Sequence, residues 1–389
     1  MIFPAADATL LEPKPTALYA AIATVSSANS WTSVNGWSTP TVYTTVQEEY
    51  DLLTTEAAVA DFGPLCRYVV RGDAAVDYLG RVTTAPAANL SIGESARGLV
   101  VSADGAVSDI VEVSRLGAKM YLLTTTHPHG RRLQLAGRGL NAEFEDISGR
   151  IAALALIGPK AREAAKVSGL SSASDTVAAQ TIVRGVETAT RPIEIGSQPG
   201  VEIIYPYKEA LTIWERVRRA ADLKPAGLDA FEILRIESGT PRPGVDFISA
   251  DVANQPGLLR SPAAIGLPHL APLDRAWFNG RRALLRKTPH SERVLKVLAL
   301  DDERCEIGAE VTSGGAPTGK VTSAAFSPRL KRVVVFADIA KGADKKPLEV
   351  AGPRGERMAA RLFSTAESER ADAFAAASGK ATESARGIV

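Results

Sequence analysis

The spacing of apolar residues up to Glu237 changes repeatedly between the period of a strand and the period of a helix. The runs RYVVR at Arg67–Arg71 and IAALALI at Ile151–Ile157 favour strands, whereas Ala210–Ala221 has apolar residues at helical spacing. The same patterns predict further strands at Leu99–Ser102, Ile110–Ser114, Met120–Thr125 and Val201–Tyr205, and further helices at Val46–Ala57, Ala74–Val82, Lys160–Val167 and Ala230–Glu237. Such an alternation predicts an α+β body with mixed or antiparallel sheets.

The chain after Lys287 has a different pattern. From Arg293 to Val350 the apolar runs are short, β-branched and separated by glycine, with no helical spacing between them. Closely spaced short strands without helices are typical of a small antiparallel barrel or sandwich. We therefore predict four segments: an irregular N-terminal segment at 1–45, an α+β body at 46–285, a C-terminal β-barrel-like domain at 286–364 and a polar tail at 365–389.

Composition and charge exclude several classes of protein. Lysine and arginine total 45 against 44 aspartate and glutamate residues, a formal net charge of +1, so no overall field attracts a nucleic acid. The two cysteines, Cys66 and Cys305, lie far apart, which excludes a disulfide framework and a cysteine-based zinc site. No apolar run approaches the ~18 residues of a membrane span, and the N-terminus lacks the pattern of a secretory signal. We therefore expect a cytoplasmic protein.

Two of the four histidines lie close together. His127 and His129, in the sequence THPHG, have a spacing that offers two metal ligands when it lies on a strand. Pro128 and Gly130 indicate a turn instead, and the sequence nominates no third ligand. We therefore expect a solvated loop here and no metal site.

Three common motifs are missing from the sequence. There is no G-x-G-x-x-G after a strand, no G-x-x-x-x-G-K-[ST] and no G-x-S-x-G. A dinucleotide-binding fold, a P-loop and a serine-hydrolase elbow are therefore not expected. The stretch GGAPTGK at Gly314–Lys320 resembles a phosphate-binding loop, but its strand-like flanks favour a β-turn.

Two carboxylates lie among apolar residues. Asp109 follows the turn at Asp104–Gly105 and begins an apolar strand, so its charge is expected to be partly desolvated, as suits acid–base chemistry. The alternative is an ordinary turn-capping aspartate. Glu202 lies between Val201 and Ile203, and strand alternation points it away from both, towards solvent. An inward Glu202 would instead recognise the donor edge of a ligand.

Longer segments carry motifs in a characteristic order. PGVEIIYP at Pro199–Pro206 is similar to a G-F-E-I element, LKPAGLDAFEILRIESGTPRPGVD at Leu223–Asp246 to a K-P-A-G-L run, and Gly315–Leu330 contains VTS followed by SP. Together with three further segments, these resemble the glycine cleavage T-protein (aminomethyltransferase) superfamily of tetrahydrofolate-dependent one-carbon transferases. The three further segments are Glu48–Thr84, Leu154–Ala161 and Phe278–Leu284. The resemblance covers nearly the whole chain.

This resemblance implies a cloverleaf arrangement around a central channel that holds tetrahydrofolate, with a C-terminal β domain. It places Asp109 at the first Asp of the family's G-G-x-x-D-D signature, beside the reactive folate nitrogens, and Ile110 at the second. It also assigns Glu202 to the pterin ring, from which a carboxylate accepts charge-assisted hydrogen bonds. Thr125 and Phe231 stand where the family has Asn and Arg, and we expect them to shape the pocket. Phenylalanine lacks both the charge and the donors of arginine.

The expected activity is transfer of a methyl group from an N-, O- or S-methylated small molecule to N5 of tetrahydrofolate. One alternative is a true glycine cleavage aminomethyltransferase, which would act with a lipoyl-carrying H-protein. The other is a folate-binding protein without transferase activity, but the K-G-C-Y-x-G-Q-E segment of that branch is absent. PGVEIIYPY is also similar to an element of the folate-dependent aromatic O-demethylases, and Phe231 would suit an apolar methyl donor.

Overall fold

The chain combines helices with mixed and antiparallel sheets and ends in a closed β-barrel. The computed structural model describes residues 12–170, 179–183, 185–274, 277–286, 292–302 and 304–386. The predicted α+β class and the predicted C-terminal barrel are confirmed. Among the described residues, no helix is long and apolar enough to cross a membrane.

The bounds of the elements agree closely with the apolar periodicity: Ile151–Ile157 and Ala210–Ala221 begin and end at the predicted residues. The helices are α1 (Tyr19–Val25), α2 (Val46–Thr55), α3 (Ala75–Val82), α4 (Gly130–Ala136), α5 (Ala161–Val167), α6 (Ala210–Ala221), α7 (Leu228–Ser238), α8 (Arg281–Leu285) and α9 (Ala366–Arg386). The strands before the barrel are β1 (Lys14–Pro15), β2 (Ser30–Val34), β3 (Trp37–Val42), β4 (Ala58–Asp61), β5 (Cys66–Arg71), β6 (Ser95–Val101), β7 (Val107–Gly117), β8 (Met120–Thr125), β9 (Glu143–Asp146), β10 (Ile151–Ile157), β11 (Ala179–Val183), β12 (Val186–Ile195), β13 (Gln198–Pro206) and β14 (Lys224–Pro225). The barrel strands are β15 (Arg293–Leu300), β16 (Glu310–Ser313), β17 (Ala316–Ser327), β18 (Arg332–Ala340), β19 (Leu348–Ala351) and β20 (Arg357–Leu362).

The strands before the barrel form three sheets. A three-stranded sheet has the order β1-β3-β2, a five-stranded antiparallel sheet has the order β6-β7-β8-β5-β9, and a six-stranded mixed sheet has the order β11-β12-β13-β10-β4-β14. The barrel closes in the order β15-β18-β17-β16-β19-β20. The apolar faces of these sheets and the helices that cover them supply the buried core.

The N-terminal region is more regular than predicted. Residues 1–11 lie outside the described residues, but most of the supposedly irregular segment that follows forms α1 and the hairpin β2–β3. The hairpin turns at Asn35 and Gly36, which have φ values of 52° and 79°. Asn-Gly is the preferred pair for such a left-handed two-residue turn, and threonine is a good strand former. The prediction of an irregular segment relied on the serine- and threonine-rich composition and therefore missed this hairpin.

The C-terminal segment is also more than a polar tail. Helix α9 begins at Ala366, and the side chain of Glu367 in its first turn is almost completely buried. This carboxylate pairs with Arg97 of β6 and lies 3.0 Å from Nε2 of His269. The predicted boundary at residue 365 therefore separates from the body a helix that is anchored to it by ion pairs.

The sheet register brings together the ends of strands that carry the predicted site residues. Val111 of β7 lies opposite Thr125 of β8, so the first residues of β7, with Asp109, lie beside the loop that follows β8. In the six-stranded sheet, Glu202 of β13 lies directly opposite Arg191 of β12. The two predicted carboxylates therefore come from different sheets.

Candidate active site

A cavity with charged and hydroxyl-bearing walls lies between the five-stranded sheet, β12 and α7, and we call it the polar cavity. Its volume is about 200 Å³, and Thr124, Thr125 and Thr126 form part of its wall. Its charged lining residues are Arg97, Glu112, Arg191, Glu194, Arg235 and Glu367. The alternation of both signs suits a ligand that carries both hydrogen-bond donors and anionic groups.

A second cavity, which we call the apolar cavity, adjoins the first. Its volume is about 230 Å³, and it shares four lining residues with the polar cavity: Phe62, Leu65, Ile195 and Arg235. Phe231, partly buried on α7, lines the apolar cavity and packs edge-on against Phe62 at a centroid distance of 6.1 Å. The structure therefore places Phe231 in the wall of the apolar cavity and Thr125 in the wall of the polar cavity.

Asp109 is completely buried, and both of its carboxylate oxygens accept hydrogen bonds. Oδ1 accepts from the backbone N–H of Ile110 at 2.8 Å and from the hydroxyl of Thr126. Oδ2 accepts from the backbone N–H groups of Thr126 and His127, both at 3.1 Å, and lies 3.0 Å from Nε2 of His129. Burial alone raises the pKa of Asp109, but the hydrogen bonds from His127, His129 and Thr126 outweigh it and lower the pKa to about 2. The carboxylate is thus a fixed, buried negative charge.

Two neighbours of Asp109 connect it to the polar cavity. Ile110 and Thr126 both line that cavity, whereas Asp109 lies directly behind them. The Thr126 hydroxyl donates its proton to Asp109, and Nδ1 of His127 lies 2.9 Å from the same oxygen, so one lone pair of the Thr126 oxygen is left to accept from a ligand. Thr125 also lines the cavity, but its hydroxyl donates to the carbonyl of His127 at 2.6 Å. Thr126 is therefore the side chain through which the charge of Asp109 reaches the cavity.

Counting along the strand refines the match to the family signature. Measured from the turn glycine Gly105, the spacing G-G-x-x-D-D places Ser108 and Asp109 at the two acidic positions, rather than Asp109 and Ile110. Ser108 thus stands where the family has its first acidic residue. Its hydroxyl donates to Asp251 at 2.8 Å, so a carboxylate from a distant loop lies beside this position.

Glu202 points into the protein, so the prediction that strand alternation directs it to solvent is wrong. Its exposed fraction is 0%, and its two oxygens accept hydrogen bonds from the guanidinium groups of Arg67 and Arg191. Burial alone raises the pKa of Glu202, but the two arginines outweigh it and lower the pKa to about 2. The alternation rule assumes that one face of a sheet meets water, and at this position both faces are covered.

Arg191 connects Glu202 to the polar cavity, in whose wall it lies. Its guanidinium also pairs with Glu112 at 2.8 Å and donates to the hydroxyl of Ser114 at 3.1 Å. Burial lowers the pKa of Arg191, but Glu112 and Glu202 outweigh this and raise it above the usual value. Among these carboxylates, Glu112 is the one that lines the cavity, whereas Glu202 lies behind Arg191.

His129 is buried, so the expectation of a solvated histidine loop is wrong for this residue. Its ring lies between two carboxylates, with Nε2 3.0 Å from Asp109 and Nδ1 3.1 Å from Asp251. Burial lowers the pKa of His129, but the interactions with Asp109 and Asp251 raise it to about 9. Among the described residues, no group of three or more histidine, cysteine, aspartate or glutamate side chains is arranged to hold a metal ion.

The residues that sequence reasoning missed are the partners of the two carboxylates. Arg67 reads as an outward end of the strand RYVVR, and Arg191 lies between a threonine and a proline without any motif. Asp251 lies in a loop rich in polar residues. The sequence THPHG did single out His129, but Pro128 and Gly130 indicated a solvated turn, so the burial of His129 was not predicted. Ion-pair partners that are distant in sequence leave no local pattern.

Comparison with known families gives two matches, one on each side of residues 261–292. Residues 22–260 match the family described as the GCVT N-terminal domain, and residues 293–366 match the glycine cleavage T-protein C-terminal barrel domain. The first match alone spans more than half of the chain.

Individual relatives cover most of this chain. It is 29% identical over 318 residues to an aminomethyltransferase of Thermus thermophilus, across 79% of this chain and 87% of the relative. It is 27% identical over 353 residues to a probable aminomethyltransferase of Haloarcula marismortui, across 86% of this chain and 94% of the relative. The crystal structure of glycine cleavage system aminomethyltransferase T from Bartonella henselae has the same fold, with a TM-score of 0.81 at 21% identity, covering 92% of this chain and 99% of that chain.

Proposed function

Because this chain belongs to the glycine cleavage T-protein family, we propose that it transfers a methyl group from a methylated small molecule to N5 of tetrahydrofolate. The chain is an enzyme of the aminomethyltransferase type, and tetrahydrofolate is the one-carbon acceptor that this family uses. The polar cavity suits this molecule, because its threonines and Glu112 match a pterin and Arg97 and Arg235 match glutamate carboxylates.

The single observation that supports this proposal best is the position of Asp109 directly behind the cavity wall. Its fixed negative charge reaches the cavity through the Thr126 hydroxyl, whose oxygen is left to accept a hydrogen bond. A preorganised charge and acceptor in a water-poor site stabilise positive charge that develops during a transfer. We assign Asp109 this electrostatic role, with Thr126 as the group that touches the reacting nitrogen.

When bound, tetrahydrofolate would supply the N5 lone pair for the new bond to the methyl carbon; the donor heteroatom would keep the electron pair of the broken carbon–heteroatom bond and take up the proton that N5 releases. Thr126 would accept a hydrogen bond from the N5 proton before transfer and would thereby orient the nitrogen lone pair. Arg191, held by Glu202, keeps Glu112 at the cavity wall, where it accepts from the pterin. Most of the rate enhancement then comes from alignment of donor and acceptor.

The apolar cavity is our candidate for the binding place of the methyl donor. It adjoins the polar cavity through Phe62 and Leu65, and Phe231 lies in its wall. An apolar or aromatic methyl compound buries its surface there, which favours a methoxy-arene or a similar donor over a small charged amine.

Replacement of Phe231 by Ala removes most of that contact. We expect KM for such a donor to rise about tenfold while the affinity for tetrahydrofolate stays within about threefold.

A second candidate function is aminomethyl transfer from a lipoyl-carrying H-protein. The observation that favours it is that the relatives above are named aminomethyltransferases. This candidate predicts turnover with an aminomethylated H-protein and none with free methylated compounds.

The test is tetrahydrofolate binding by calorimetry followed by a donor screen that measures 5-methyl-tetrahydrofolate. We expect Asp109→Asn to bind within about threefold of wild type but to lower kcat about 100-fold or more. Glu112→Gln is expected to weaken binding instead. If wild type does not bind tetrahydrofolate, the proposal is wrong. If it binds but reacts only with aminomethylated H-protein, the second candidate replaces it, and binding without any transfer indicates a non-catalytic folate-binding protein.

A further inference from the structure

The loop between β8 and α4 carries His129 into the protein between two carboxylates. Its Nε2 faces Asp109 at 3.0 Å and its Nδ1 faces Asp251 at 3.1 Å, while its backbone N–H donates to the Tyr68 hydroxyl at 2.9 Å. A neutral imidazole has only one N–H group, so one of the two carboxylates would face a lone pair. Only the imidazolium donates to both carboxylates.

Asp251 is itself held in place. Its Oδ1 accepts from the hydroxyl of Ser108 at 2.8 Å and from Arg132 of α4, which also donates to the carbonyl of Val101 at 2.7 Å. The carboxylate that orients the ring is therefore tied to β6, β7 and α4. About a third of the Asp251 side chain is exposed, so this end of the arrangement meets solvent.

We propose that His129 is a positioning residue that keeps Asp109 ionised and aimed at Thr126, with Asp251 fixing the orientation of the ring. This inference rests on the proposed function, because it concerns the carboxylate behind the cavity wall. The imidazolium neutralises a charge that burial would otherwise drive towards protonation, and it contacts Oδ2 while the Thr126 hydroxyl binds Oδ1. His129 itself lines neither cavity described above.

The surroundings of the ring define its pH response. The groups that face it are Asp109 from β7, Asp251 from the loop after α7 and, through Asp251, Arg132 from α4, while the Tyr68 hydroxyl of β5 binds the backbone N–H of His129. His127 is the other imidazole of the loop, with 43% of its side chain exposed and its Nδ1 3.9 Å from Asp109. Two adjacent carboxylates favour the charged ring, so His129 is expected to lose its proton only at alkaline pH.

The first test does not depend on folate. Histidine side-chain NMR of the full-length protein follows the imidazole signals from pH 5 to 10 in wild type, His129→Gln and His127→Gln. One imidazole should remain protonated far above the ordinary pKa of about 6.5, and its signal should be missing only from His129→Gln. Titration of every signal near that ordinary value would overturn the inference.

The second test separates a positioning role from a merely structural one. The transfer rate of wild type should fall as the pH rises through the titration of His129, and His129→Gln should be slow without this alkaline limb. Asp251→Asn removes one of the two carboxylates, so it should move the limb down by about one pH unit. An alkaline limb that is identical in all three proteins would contradict the inference. If wild type neither binds folate nor transfers methyl groups, the proposed function fails, and the NMR titration still decides whether His129 holds Asp109 as an ion pair.

Discussion

Asp109 and Glu202 are both completely buried behind the wall of the polar cavity, yet their charges are compensated differently. Glu202 lies between the guanidinium groups of Arg67 and Arg191. Asp109 is surrounded by backbone and hydroxyl donors and by the imidazole of His129, which can lose its proton. The pKa of both carboxyls is nevertheless lowered to about 2.

This difference teaches that equal burial and equal pKa do not imply equal roles. Glu202 is buried and does not line the polar cavity, so its influence on the cavity passes through Arg191 and Glu112. The partners of Asp109 include a hydroxyl, that of Thr126, which lines the cavity itself. We call Glu202 with Arg67 and Arg191 the Glu202 cluster, and Asp109 with Thr126 and His129 the Asp109 cluster. We infer that the Glu202 cluster supports the cavity wall and that the Asp109 cluster forms the reactive side of the cavity. Three measurements test this division.

The largest expected effect is on stability in the Glu202 cluster. Arg67→Met removes one of the two permanent charges and leaves a buried carboxylate half compensated, so the free energy of unfolding should fall by about 3–5 kcal/mol. Urea denaturation measures this change. The double variant Arg67→Met with Glu202→Gln removes the uncompensated charge as well, and should recover more than about 1 kcal/mol of the loss. A double variant no more stable than the single one would show that Glu202 does not depend on Arg67.

The next effect concerns pH and the Asp109 cluster. The pKa of His129 is raised from 6.5 to about 9, so its contribution to stability is complete below pH 6.5 and is lost as pH rises through 9. Over this range we expect the free energy of unfolding of wild type to fall by of the order of 2–3 kcal/mol relative to that of His129→Gln, because the variant lacks the contribution of the protonated imidazole. Urea denaturation at pH 6, 8 and 9.5 gives both curves. Parallel curves would mean that the Asp109 cluster is as insensitive to pH as the Glu202 cluster.

The smallest effect separates two neighbouring threonines. Thr126→Val breaks the hydroxyl bridge between Asp109 and the cavity and should lower kcat about tenfold, whereas Thr125→Val removes a hydroxyl that donates to the carbonyl of His127 rather than to Asp109. Each change should cost about 1 kcal/mol of unfolding free energy, so stability is matched between the two variants. Equal losses of kcat in steady-state assays would show that Thr126 does not link the charge of Asp109 to the cavity.

Much of the fold was predictable from local pattern. Helix α6 and strand β10 were predicted with their observed bounds, and α7 was predicted as Ala230–Glu237 against the observed Leu228–Ser238. The hairpin β2–β3 was missed although its Asn-Gly turn is visible at Asn35, because the composition around it resembled a loop. Periodicity over many residues is a stronger signal than a single turn.

The sequence by itself determined many of the elements, the family and the two carboxylates of interest, because apolar periodicity and ordered motifs are properties of neighbouring residues. Only the tertiary structure decided what each carboxylate faces. Arg67 and Glu202 are separated by 135 positions and come from different sheets, and Asp251 reaches His129 from a loop far along the chain. Burying a charge requires a partner within a few ångströms, and the partner is chosen by packing in space rather than by position in the sequence.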